Sequence, residues 1–121
     1  MKIKITDSML DDAYPPPPVN GNDLLVPITT WVEMFRETQV TGIELEEYWL
    51  EHVEIGVAYF FRWLGNPRST VLVIWNNEGP THIECRTLGD SLVTGVESES
   101  ISAEVIKLFR EAGFWSGYVN H

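Results

Sequence analysis

A chain of 121 residues is the size of one domain, and 44% hydrophobic residues supply a core without a metal or disulfide framework. Eighteen acidic residues against eight basic ones give a net charge of −10, which excludes a phosphate-neutralising nucleic-acid surface and opposes adsorption to anionic lipid. One cysteine, Cys85, makes no internal bridge, no basic-then-apolar leader opens the sequence, and no apolar run reaches bilayer length, so the chain reads as cytoplasmic.

Lys2 to Ile5 alternates polar and apolar and predicts an edge strand with its lysines outward. Asp7 to Asp23 follows, with Pro15, Pro16, Pro17, Pro18, Asn20, Gly21 and Asn22. Four consecutive prolines lack amide donors and lock φ, which predicts an extended polyproline segment. Its PxxP spacing fits a groove ligand in form, but Asp11 and Asp12 stand where such ligands carry a basic residue, so it reads as a stiff surface connector. Residues 1–26 are thus a strand plus an irregular segment, and 27–121 a single α+β domain.

Thr30 with Glu33 makes a capping box, and Trp31, Met34, Phe35 and Thr38 fall on one face of the helix that follows. From Thr41 to Gly65 two periods compete. Thr41 with Glu44 is a second capping box, and Leu45, Tyr48, Trp49 and His52 repeat at helical spacing. Residues 53 to 64 alternate, however: Val53, Ile55, Val57, Tyr59, Phe61 and Trp63 share one parity and Ala58, Phe60 and Leu64 the other, which predicts a central strand from 53 to 63 buried on both faces.

Gly65, Asn66 and Pro67 make a turn, Thr70 to Trp75 is a β-rich run, Asn76 to Pro80 is another turn, and Thr81 to Thr87 alternates again. Turns this short require antiparallel neighbours. Leu92 to Val96 adds an edge strand, and Ser102 caps a last helix with Val105, Leu108, Phe109 and Ala112 as its apolar stripe and Gly113 as its stop. The aromatic tail, Phe114 to Val119, returns towards the sheet. The fold class is α+β, an antiparallel β-meander with two helices packed on one face.

Candidate chemistry is sparse. His82 and Glu84, two apart on a strand, share a face and offer two metal ligands, but His52, His121 and distant carboxylates complete no specific spacing. His82 and Cys85, three apart, fall on opposite faces, which places the thiol with Ile83 in the core and not in a dyad. With no phosphate-loop, nucleophile-elbow or zinc-helix motif, no enzyme, metal or cofactor is expected. Trp31, Trp49, Trp63, Trp75 and Trp115, with Tyr48, Tyr59 and Tyr118, would stack a flat ligand if they lined a pocket, but at core spacing most of them pack. Glu44, Glu46, Glu47, Glu51 and Glu54 remain. Carboxylates this dense repel one another, so the fold has no use for them, whereas a basic partner does. Tyr48 and Trp49, set among them, supply the apolar contact of such a face.

The segments EIGVAYFF, STVLVI and SISAEVIKLFREAG, in an order of helix, strands, capped helix and aromatic tail over roughly residues 43–115, resemble the first family of immunity proteins from bacterial polymorphic-toxin systems. That resemblance implies a small cytoplasmic protein that occludes the active site of a cognate toxin. The function expected is therefore an acidic inhibitor of a basic, nucleic-acid-targeting protein. The alternative is a small-molecule or nucleotide-binding, sequestering protein built round an aromatic-lined pocket, including one encoded by a phage, which an acidic chain can be only if Arg62, Arg68 or Arg86 furnishes local donors.

Overall fold

The computed structural model describes residues 13–43 and 47–114, and for 47–49 the backbone alone. The expected strand at Lys2 to Ile5, the pairing of Thr41 with Glu44, and the tail beyond Phe114 involve residues outside this set. Among the described residues five strands, β1 (Leu25–Pro27), β2 (Ala58–Trp63), β3 (Ser69–Asn76), β4 (Gly79–Thr87) and β5 (Ser91–Leu92), lie side by side in chain order. Every neighbouring pair is antiparallel. Helices α1 (Trp31–Thr41), α2 (Glu47–Glu54) and α3 (Gly95–Glu111) pack on this sheet, giving an α+β meander. Among the described residues the α-helices therefore number three, one more than the sequence predicts.

Burial explains the strands. Tyr59, Phe61 and Trp63 on one side of β2 and Ala58 and Phe60 on the other are all buried, as a central strand requires. Tyr59 faces Val73 across the β2/β3 ladder, and Val71 faces Cys85 across β3/β4. β1 spans 25–27 and so straddles the boundary expected between residues 26 and 27. Its three residues were hidden in a stretch dominated by turn formers. Gly21 makes the approach possible, because a Cβ there would stand 2.2 Å from the Leu25 carbonyl oxygen.

The polyproline segment is tied down more firmly than a surface connector. Tyr14 meets Trp31 and Tyr59 edge to face, with ring centroids 4.9 and 5.9 Å away, and Val19 is buried. The Tyr59 hydroxyl lies 2.6 Å from the Ile28 carbonyl and 2.8 Å from that of Pro15, one proton shared between two acceptors. Burial pushes both phenols well above the ordinary tyrosine range, and the nearby Glu33 carboxylate adds to the shift.

In α1 the Thr30 hydroxyl accepts the Glu33 amide at 3.0 Å. The returning arm of the box is displaced by one residue, since the Glu33 carboxylate takes the Thr29 hydroxyl at 3.1 Å. The buried stripe is Trp31, Met34, Glu37 and Thr41, not Trp31, Met34, Phe35 and Thr38. Phe35 is 43% exposed. A carboxylate replaces it inside because the sheet offers Glu37 a guanidinium and a hydroxyl. Thr41 is the last residue of this helix, and its hydroxyl is engaged by Thr70 at 2.8 Å.

The strand expected over 53–63 is shorter. Val53 and Glu54 end α2, Gly56 takes φ 82°, and β2 begins only at Ala58. The Gly56 amide donates to Val53 and the Val57 amide to His52, the paired closure of a Schellman motif. The same closure ends α3, where Gly113 donates to Arg110 and Phe114 to Phe109. There the Phe109 and Phe114 rings also pack, 5.2 Å apart. That helix starts at Gly95 after an extended Thr94, seven residues before Ser102, and its buried stripe is Ile101, Val105, Leu108 and Phe109. Ala112 is exposed, and the strand expected at Leu92 to Val96 shrinks to Ser91–Leu92.

Candidate partner-binding surface

Helix α2 carries most of the acidic cluster. Leu50 and Val53, three apart, are buried and fix the helix to the core. Glu51 and Glu54, each one residue further on, form a parallel exposed stripe. Glu47, Tyr48 and Trp49 open the helix, while Glu44 and Glu46 lie outside the described residues. Directly after the helix, Ile55 is 72% exposed, its amide held by the Glu51 carbonyl at 3.1 Å. The described part of the surface is thus two carboxylates around an apolar knob. Sequence reasoning passed over Ile55 because it counted as a core position in the alternation; Gly56, a helix stop one residue later, was the available signal.

The position of these carboxylates opposes local stability. Glu51 and Glu54 occupy the last turn of α2, where the helix dipole presents its negative end and favours cations. They are also three apart, close enough to repel.

Three cations elsewhere are engaged internally. Arg68 forks onto Glu37 at 2.9 and 2.5 Å, Arg86 reaches Glu84 at 3.3 Å and Asp90 at 3.9 Å, and Lys107 lies 3.7 Å from Glu104. Glu51 and Glu54 have no ion-pair partner among the described residues. Their charge therefore projects outward.

The other candidates separate. His82 is exposed and Glu84 turns to Arg86, and no group of three potential metal ligands occurs among the described residues. Cys85 is buried opposite Val71, and desolvation, with the Glu84 charge second, pushes its thiol up to about 11. Trp31, Tyr59 and Trp63 are core residues, and Trp75 packs on Phe109 and Phe114 with centroids 6.1 and 5.5 Å away. These four aromatics pack against protein.

Among the described residues no helix is long and apolar enough to cross a membrane. Comparison with protein-family models, curated proteins and solved structures finds no match.

Proposed function

We propose that the protein is an inhibitor of the immunity type, which acts in the cytoplasm by covering the active site of a basic, nucleic-acid-targeting protein and not by catalysis. One observation carries the reading: Glu51 and Glu54 stand exposed, unneutralised and in the helix turn least suited to them, beside the exposed Ile55. A partner that supplied cations to this face would relieve both the dipole penalty and the mutual repulsion. The net charge of −10 extends the same field over the whole molecule and steers a basic partner towards it. Ile55, with Tyr48 and Trp49 on the same helix and turn, would contribute the desolvated contact area that the carboxylates frame.

The test is affinity purification from the native host at low salt, followed by mass spectrometry. A stoichiometric basic protein released by raising the ionic strength supports occlusion. A bound small molecule with no protein overturns it.

A further inference from the structure

We infer that Arg62 anchors a second site, one that takes a small oxoanion, phosphoryl or carboxylate, on the sheet face it shares with Thr70 and Arg86. The ladder fixes the arrangement. Arg62 on β2 faces Thr70 on β3, and Thr70 faces Arg86 on β4, so the three side chains leave the same face in one cross-strand row. Arg68, two residues before Thr70, donates to Glu37 beside that row.

Within this group the cations are treated unequally. Arg68 and Arg86 each hold a carboxylate. Arg62 has no ion pair and no hydrogen bond among the described residues, in a chain with 18 acidic groups to choose from. Its Nε is buried and unpartnered. A buried guanidinium N–H without an acceptor is costly, because the group loses water and gains nothing in exchange. The fork of Nε and a terminal nitrogen matches two oxygens of a carboxylate or phosphate, a geometry that a lysine ammonium does not reproduce. The residue is only partly exposed and lies between Val26 and Thr70, which suits a compact ligand.

The measurement is the arginine Nε–Hε correlation spectrum of the whole protein at constant ionic strength, titrated with inorganic phosphate and, separately, with acetate. The Arg62 signal, assigned through bonds, should move saturably while those of Arg68 and Arg86 move much less. Movement with phosphate alone assigns a phosphoryl ligand, and movement with acetate alone a carboxylate. The bound anion should also raise the melting temperature, and Arg62→Lys, which keeps the charge and loses the fork, should abolish that rise. Should Arg62→Lys not fold, the wild-type titration decides alone. An Arg62 signal that stays fixed, or one that drifts in step with the other two arginines, overturns the site.

Discussion

Glu37 and Arg68 form a two-pronged ion pair in which the carboxylate is 1% exposed and the guanidinium 29% exposed. The Thr70 hydroxyl adds a third contact to the same carboxylate at 2.5 Å, and Thr41 closes the group against Thr70. Since both oxygens are satisfied, Glu37 sits in the helix stripe where a leucine would ordinarily stand. Removing the carboxylate should be far worse than never having had the pair, because the buried Thr70 hydroxyl would lose its acceptor and the part-buried Arg68, still donating to the Ser69 carbonyl, its counter-charge.

Glu37→Ala should therefore cost about 3 kcal/mol or more, while Glu37→Gln, which still accepts from Thr70, should cost less. Urea unfolding with an unchanged slope provides the measurement. A loss below about 1 kcal/mol for the alanine variant would show that the network does not hold α1 to the sheet.

The glycines at 56 and 113 give a second, quantitative expectation. Both have positive φ, and a Cβ at either position meets nothing within 4 Å. Substitution by alanine then carries only the backbone penalty, about 1 kcal/mol in each case. Gly21→Ala should be clearly worse, since its Cβ would collide with the Leu25 carbonyl and with Pro27 Cδ at 2.4 Å. Equal melting temperatures for Gly21→Ala and Gly56→Ala would contradict this ordering.

The sheet was the most legible part of the chain. Residues 58–63, 69–76 and 79–87 carry β-branched and aromatic side chains between clear turn residues, so local preference and tertiary packing agree there. At 53–57 two periods coincide: Val53, Ile55 and Val57 alternate, yet Leu50 and Val53 are also helix neighbours, and the Gly56 cap decides for the helix. Gly95 and the serines at 98 and 100 obscured the first turns of α3, which Ile101 anchors through a contact absent from local preference. Glu37 as a core residue was invisible, because its guanidinium partner lies 31 positions away. Of the candidate surface, the charge was readable and the exposed Ile55 was not.

Alkaline pH offers a test of the core. The Cys85 thiol is raised from 9.0 to about 11, so between these values the unfolded chain releases a proton that the folded chain keeps. The unfolded state then binds fewer protons, and stability must fall as pH rises through that window, by at most about 1.4 kcal/mol per unit. Tyr14 and Tyr59, normally near 10.0 and also raised, extend the loss above pH 10. Cys85→Ala should flatten the slope between pH 9 and 10 relative to the parent, whatever its baseline stability. A native thiol that reacts rapidly with maleimide at neutral pH would contradict this burial.

The final prediction sets stability against binding on α2. Glu54→Lys places a cation at the negative end of the helix dipole and turns the Glu51 repulsion into attraction, so the isolated protein should gain about 0.5 kcal/mol. Glu51→Lys should stay within about 0.5 kcal/mol of the parent, since it too is an exposed position. Against a basic partner of the proposed kind the same changes would oppose its cations, and the double reversal should slow association at low salt more than at 0.15 M, where screening operates over about 8 Å. Trp49→Ala, if that side chain lies in the contact, should cost about 2 kcal/mol of affinity through faster dissociation. Stopped-flow association and denaturant midpoints on the same variants separate the two effects. If Glu54→Lys leaves the association rate unchanged while Trp49→Ala lowers the melting temperature sharply, the acidic stripe is a solvated face, Trp49 belongs to the core, and the partner binds elsewhere.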